Sequence, residues 1–361
     1  MRTYDACVIG AGGVVGTAIV RELALRGFQT VGIEKHSTPA AETSGRNSHV
    51  IHSGFHESSG TLKARLTPES SRRIAAYCTA EQVPLLQSGM LIAIPHDALR
   101  SGLWREIGQL WHLWKNGRTQ RIPFRWIAGR SAVHSIAPIR ALGGIFIPSV
   151  CVVDVVRFIE TMQREAESKG AEFHYGNEVT AIEEAQGQFI VHTAAATFRT
   201  RVLINSAGLG ACDISMMAGG PAYHVENIRG EYYELRGGVA RWDIRTLVYP
   251  ATPERSRSKG IHFGPRTDGR LFIGPDASTA STPTPKDIFV EAARRFVPQI
   301  IPGDLEWAYA GTRPKYTRPD GISDFLIRVD RRDPILINLI GIDSPGLSAS
   351  MGIATYVANL M

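Results

Sequence analysis

Apolar and polar positions alternate in blocks along the chain, and the first blocks are the clearest. Tyr4-Asp5-Ala6-Cys7-Val8-Ile9 is a short apolar run that predicts a buried strand. Residues 17–27 carry a helical period, and residues 28–35 read as a second strand. Farther on, residues 87–94 predict a strand, 99–114 a helix, and 152–169 a helix with Glu160, Arg164, Glu165, Glu167 and Lys169 on its charged face. Residues 173–182, 189–193 and 198–204 follow as strands. From Tyr223 to Gly274 the alternation has a period of two, with a hairpin turning at Asp268-Gly269. A Ser/Thr/Pro loop over 277–286 precedes a helix over 287–296. The chain closes with a strand over 335–341, a turn, and a helix over 347–360.

The link between the first strand and the first helix carries the chemistry. It reads Gly10-Ala11-Gly12-Gly13-Val14-Val15-Gly16, and Glu34 lies 18 residues beyond Gly16 at the end of the second strand. Strand, glycine turn, helix, strand and acid form a dinucleotide-binding unit. Glycines let backbone N–H groups approach a pyrophosphate at a helix N-terminus, where the dipole favours anions. The terminal acid accepts hydrogen bonds from a ribose. The spacing holds one residue more than the usual G-x-G-x-x-G, which bulges the turn without abolishing it, since glycine tolerates positive φ. The run Val202-Leu203-Ile204-Asn205-Ser206-Ala207-Gly208 ends another strand in small residues, a second place for backbone to meet a cofactor.

Composition narrows the class modestly. The chain has 361 residues, 43% hydrophobic and 20% charged, the profile of a globular protein with room for two lobes. The net charge of +6 favours anionic substrates or surfaces. Four scattered cysteines without a C-x-x-C pair suit a reducing cytoplasm and predict no zinc site. No apolar run has the length of a membrane span, and a strand so near the start leaves no signal peptide to expect.

Taken together, the motifs resemble the D-amino-acid-oxidase-type superfamily of FAD oxidoreductases, and within it the L-2-hydroxyglutarate dehydrogenases and oxidases. The resemblance spans nearly the whole chain. It is most specific at Thr43-Ser44-Gly45-Arg46-Asn47-Ser48-His49-Val50-Ile51-His52-Ser53-Gly54 and at Ser58-Ser59-Gly60-Thr61-Leu62-Lys63-Ala64-Arg65-Leu66. Further matches are Gly260-Ile261-His262-Phe263, Tyr309-Ala310-Gly311-Thr312-Arg313-Pro314-Lys315 and Gly341-Ile342-Asp343-Ser344-Pro345-Gly346-Leu347. One departure besides the extra glycine is Phe55-His56, where the family commonly has two tyrosines.

The implied fold class is α/β (α+β), a Rossmann-like FAD-binding domain with an interleaved β-rich substrate domain. The boundaries expected are 1–80, 150–215 and 320–361 for the FAD domain, and 81–149 and 216–319 for the substrate domain. Non-covalent FAD would be held by Gly10, Gly12, Gly13, Gly16, Glu34, Lys35, Thr43, Ser44, Arg46, Asn47, Ser48, Val179, Ala207, Gly208, Ser344, Gly346, Leu347 and Ser348. The Ser44–Ser48 loop also reads as a polar cap on a helix, and Ser344-Pro345 as a helix start with Ser as cap and Pro in the first position.

The implied reaction is oxidation of a small 2-hydroxy acid, L-2-hydroxyglutarate above others, to the 2-oxo acid. Arg313, in a run similar to a superfamily turn, would clamp a carboxylate with two parallel hydrogen bonds. His262 or His52 would be the base, since imidazole titrates near neutral pH. His262 alternates with Phe263, so a Phe263 packed in the core turns His262 to the other face of its sheet. His56, Tyr249, Lys63 and Lys315 are further substrate candidates; each lysine reads equally well as a solvated charge. The acceptor is left open between oxygen, a quinone and a protein.

Other readings stand beside this one: an amine or amino-acid oxidase of the same superfamily, or a flavoprotein electron carrier without turnover. A nicotinamide enzyme is disfavoured by the motifs beyond Glu34. Residues 100–130 carry Trp104, Ile107, Trp111 and Trp114 on one helical face amid arginines. That face predicts packing against the β-rich lobe, with peripheral contact to the inner face of a membrane as the alternative. No nucleic-acid motif accompanies the charge.

Overall fold

The structure is a computed structural model that describes residues 2–253, 259–280 and 282–361. Residues 254–258 of the alternating β region and Ser281 of the 277–286 loop lie outside the described residues. The chain divides into two units, one of residues 1–46, 155–227 and 312–361, the other of 47–154 and 228–311. Residues 47–80, expected with the nucleotide unit, cluster with the β-rich one. The reason is local pairing: Val50–Ile51 joins Cys151–Val153, which also pairs with Leu85–Leu86.

The first unit is built on five parallel strands. Ile335–Ile340, Thr197–Asn205, Thr3–Ile9, Thr30–Ile33 and Glu172–His174 pair in that order. Thr30–Ile33 is buried at every position, as expected of a parallel strand covered on both faces. The N-terminal half of Thr197–Asn205 instead pairs antiparallel with Gln188–Thr193, and Leu326–Arg332 adds antiparallel to Ile335–Ile340. Helix Val14–Leu25 packs against Gly346–Ala358 and Val155–Ser168. The first helix was expected to begin at residue 17; it begins at Val14, so Gly16 falls inside its first turn. The predicted helix over 152–169 starts only at Val155, because Cys151–Val153, with the β-branched Val152 and Val153, is a strand. The expected strand over 173–182 is likewise split into Glu172–His174 and Val179–Ala185.

Two asparagines sit fully buried in this sheet at paired positions, Asn205 and Asn338. Asn205 Nδ2 donates to Asn338 Oδ1 at 2.6 Å and to the Ala211 carbonyl at 2.7 Å. Asn338 Nδ2 donates to Ser215 Oγ at 3.1 Å and Asp330 Oδ2 at 2.8 Å.

The second unit carries most of an eight-stranded sheet. Its inner strands are Glu226–Leu235, Leu271–Gly274, His262–Pro265, Leu247–Pro250, Met90–Pro95 and Ala141–Ile147, in that order. Alternation sorts their side chains into two cores. Val248, Phe263 and Ile273 meet Phe289, Val290 and Phe296, partly from helix Lys286–Arg294. Tyr249, Ile92 and Ile145 meet Phe55, Leu110 and Leu113. The expected helix over 99–114 is broken at Gly102, whose φ of +133° suits only glycine, and resumes as Leu103–Thr119. The expected turn at Gly311-Thr312-Arg313-Pro314-Lys315 is instead the end of an extended strand, Leu305–Lys315.

Candidate functional site

The glycine turn in the first unit is closed on itself. Gly10, at φ +84°, places its carbonyl to accept from Gly13 N at 3.2 Å. A side chain at Gly16 would collide with that same carbonyl, and one at Gly10 would strike the Ser206 carbonyl and Ala207. A Cβ on Gly12 would stand 2.6 Å from Glu34 Cγ. Here the glycines are required by close approach of backbone to backbone and to the acid. Helix Val14–Leu25 has no acid in its first turn, so its dipole is free to meet an anion. The extra residue is absorbed by the extended Gly13 before the helix.

Glu34 is buried at the end of its strand. Its carboxylate accepts from Gly12 N and His36 N, both at 3.0 Å, which aims it along the turn. Ser44 Oγ accepts from Val14 N at 3.0 Å, so the polar loop does cap this helix. Thr43 donates to the Thr312 carbonyl at 2.7 Å. Lys35 is exposed and pairs with Glu42 at 2.9 Å, and Arg46 is exposed. Ala207 follows Asn205 and Ser206 and lies against Gly10, and Gly208 begins a short 3-10 turn. Val179 is buried at the head of an antiparallel strand. At the last helix, Pro345 rather than Ser344 takes the N-cap position, so the expected serine cap is not formed. Ser344 is exposed, Leu347 half-buried, and Gly346 and Ser348 are buried. Arg313 and Lys315 are half-buried on their strand. The cradle of close-packed glycines, a helix N-terminus with no acid in its first turn, and a strand-end acid fits a dinucleotide.

A second constellation lies wholly within the β-rich unit. Phe263 enters the core beside Phe296, and His262 points to the opposite face. There it stacks on Tyr249 with ring centroids 3.8 Å apart. His52 meets the Tyr249 ring at 6.0 Å and the His56 ring at 6.2 Å, and His56 meets Tyr249 at 5.9 Å. His52, His262 and Tyr249 are buried; His56 is half-buried, with its Nε2 atom shielded from solvent. Asn47 and Ser48 belong to this unit, where the Ser48 hydroxyl lies beside Tyr249.

Charge and burial hold these rings neutral. Burial, then the nearby Lys259 ammonium, pushes His52 and His56 well below the usual histidine range. Burial pushes His262 down to about 3, against a hydrogen bond to Gly260 and with Arg266 and Lys259 adding to the shift. Burial raises the Tyr249 phenol well above its ordinary value. His262 Nδ1 lies 3.0 Å from the Gly260 carbonyl. A carbonyl can only accept, so Nδ1 carries the proton and Nε2 keeps its lone pair, the arrangement a base needs.

Two cations adjoin the rings, and sequence reasoning missed both. Lys259 pairs with Glu57 at 2.8 Å, and Glu57 is itself held through its carbonyl by Gln120. Arg266 is buried, donates to the Asn47 carbonyl at 2.8 Å and to the Tyr309 hydroxyl, and lies over the Phe272 ring at 4.9 Å. Its Nη1 is buried without a hydrogen-bond partner among the described residues. A narrow recess is lined by Ser48, Tyr232, His262, Gly264, Arg266, Phe272 and Gly274. Arg266 belongs to the hairpin that turns at Asp268-Gly269, and no local signal singled it out. Lys63, which read equally well as a solvated charge, is buried in the first turn of helix Leu62–Ala80.

The chain is similar to known proteins over nearly its whole length. The family profile described as "DAO: FAD dependent oxidoreductase" matches residues 5–360. The mitochondrial L-2-hydroxyglutarate dehydrogenase of Arabidopsis thaliana is 28% identical, covering 98% of this chain and 83% of its own length. The glycerol 3-phosphate dehydrogenase of Caloramator mitchellensis is also 28% identical, covering 99% of this chain and 74% of its own. Among solved structures, the FAD-bound L-alpha-glycerophosphate oxidase of Mycoplasma pneumoniae superposes with a TM-score of 0.87 at 24% identity, over 100% of this chain and 95% of that one. That likeness concerns the fold.

Proposed function

We propose that this chain, which belongs to the DAO family of FAD-dependent oxidoreductases, oxidises a small 2-hydroxy acid to the 2-oxo acid, with L-2-hydroxyglutarate the preferred substrate. The observation that carries the reading is His262: buried, neutral, its lone pair fixed on Nε2, and flanked by cations. Such a group suits removal of a hydroxyl proton from an anionic substrate. A carboxylate entering beside Lys259 and Arg266 adds negative charge and raises the proton affinity of the imidazole when it is needed. Bound FAD, held non-covalently by the glycine turn and Glu34, supplies the acceptor for the C2 hydride. His262 takes the hydroxyl proton, so C2–H and O–H are both lost and the C2=O bond forms. Tyr249 fixes the His262 ring plane by stacking, and His52 and His56 keep the chamber polar but uncharged.

Arg313 is proposed as the clamp for the C1 carboxylate, with Lys315 and Lys63 as candidates for a second one. Arg313→Ala should lower kcat/KM by about 2–4 kcal/mol while bound FAD stays constant. A variant that handles L-2-hydroxyglutarate like the parent removes Arg313 from that role.

A second reading has specific support. The 28% identity to a glycerol 3-phosphate dehydrogenase equals that to the hydroxyglutarate enzyme, and cations serve a phosphate as well as a carboxylate. An anaerobic substrate panel read by flavin absorbance decides between them whatever the natural acceptor is. Bleaching by L-2-hydroxyglutarate but not by glycerol 3-phosphate or amino acids supports the first reading. Bleaching by glycerol 3-phosphate alone replaces it, and no bleaching by any donor points to an electron carrier.

A further inference from the structure

Helix Leu103–Thr119 does not pack with the face its aromatic residues predict. Leu110 and Leu113 turn into the core, with Glu106, Asn116 and Gly117 buried on the same side. Trp104, Ile107 and Trp111 form a stripe on the opposite, solvent face at the spacing of successive helical turns. Trp104 is 82% exposed and Trp111 59% exposed. Trp111 stacks on the half-buried Trp114, which anchors the stripe to the core. Trp126, 53% exposed, stands against Phe124, which packs on the same core as Trp114. The expected packing of the tryptophan face is therefore corrected: the helix is apolar on two sides, and only one is covered.

The charges around this stripe have one sign. Residues 97–130 hold seven arginines and lysines against two acids. Both acids are engaged by Arg295, with Asp97 at 3.1 Å and the buried Glu106 at 3.0 Å. The exposed cations include Arg105, Lys115 and Arg118 on the helix and Arg100, Arg121 and Arg125 around it. Arg118 lies over the Trp114 ring at 5.9 Å. No helix among the described residues is long and apolar enough to cross a membrane.

From this we infer that the tryptophan stripe of helix Leu103–Thr119 docks the protein on the surface of an anionic lipid bilayer. Tryptophan favours the zone between headgroups and acyl chains, where its ring is apolar and its N–H stays wet. The surrounding arginines complement negatively charged headgroups. A helix lying in the interfacial plane needs this arrangement of one aromatic stripe flanked by cations. A protein partner would have to present both an apolar strip and a dense acidic rim; an anionic bilayer presents both everywhere.

The FAD-loaded protein should co-sediment with phosphatidylcholine vesicles doped with phosphatidylglycerol and not with pure phosphatidylcholine vesicles. Its tryptophan emission should shift to the blue on binding, and added salt should weaken the partition on the order of tenfold. Trp104→Ser with Trp111→Ser, both exposed changes, should reduce partition on the order of tenfold or more and leave flavin reduction intact. Arg105→Glu with Lys115→Glu, both exposed, should do the same while every indole stays in place. Equal binding to both vesicle types, no binding, or full binding by the double serine variant overturns the inference. So does a dimer in velocity sedimentation that the serine variant dissolves, since the stripe then belongs to a second copy.

Discussion

The glycine turn of the first unit and the histidine chamber of the second solve opposite problems. The turn is built from absent side chains: Gly10, Gly12 and Gly16 stand where any Cβ would meet a carbonyl or Glu34. Its polarity comes from backbone N–H groups and a helix dipole, which no pH change alters. The chamber is built from side chains, with Tyr249, His52, His56 and His262 crowded together beside Lys259 and Arg266. Its polarity is conditional, because burial and neighbouring cations keep the imidazoles unprotonated. A permanent electrostatic feature suits a resident cofactor. A conditional one suits a substrate that arrives, gives up a proton and leaves.

The largest expected effect falls on the chamber. His262→Ala should slow anaerobic flavin reduction by roughly 10²–10⁴-fold with FAD content unchanged. In the parent, the acid limb of kcat/KM belongs near pH 3, where His262 titrates, and not near the ordinary histidine value. An unaltered reduction rate in the variant moves the base to His52, or to water, and the contrast between the two regions loses its chemical side.

A smaller effect is expected at the turn. Gly12→Val sets a branched side chain against the Glu34 carboxylate. Overpacking of that kind costs about 1–3 kcal/mol, a roughly 5- to 150-fold loss of FAD affinity, measured by titrating the apoprotein. If affinity holds, the close approach at Gly12 is incidental to nucleotide binding.

The smallest effect is a slope. His52, His56 and His262 are depressed in the folded chain relative to an unfolded value near 6.5. The unfolded chain therefore takes up more protons as pH falls below about 6.5. Stability is full above that value and declines toward pH 3, where His262 itself titrates. His56→Tyr removes one such proton, so below about pH 6.5 the slope should flatten, by up to about 1.4 kcal/mol per pH unit. Denaturant melts at several pH values test this, and parallel curves for both proteins would show that His56 is not buried neutral.

The same contrast explains what could be read from the sequence. Gly10, Gly16 and Glu34 sit within one βαβ unit, so spacing alone reveals them. His262 and Phe263 face opposite ways because strand residues alternate, and that too is local. Arg266 with Asn47, and Lys259 with Glu57, are partners 219 and 202 residues apart. Neither has a periodic signal, and Arg266 sits in the hairpin that turns at Asp268-Gly269. The strand Leu305–Lys315 was obscured by Gly311 and Pro314, which read as a turn. On helix Leu103–Thr119, periodicity marked the tryptophan face as the one to pack, whereas the buried positions are Glu106, Leu110, Leu113, Asn116 and Gly117. Leu110 and Leu113 enter the core, and of the helix's three indoles only Trp114 packs against it.

The buried asparagine pair has a consequence for assembly of the chain. Strand Ile335–Ile340 follows Thr197–Asn205 in the chain and must join it at one alignment among several that would bury equally apolar residues. Only when Asn338 stands opposite Asn205 do their amides find each other, Ser215, Asp330 and the Ala211 carbonyl. A slip of one residue would strand those groups in the sheet interior, each costing about 1–3 kcal/mol. The pair works as a latch on strand alignment, and so on where the last helix begins.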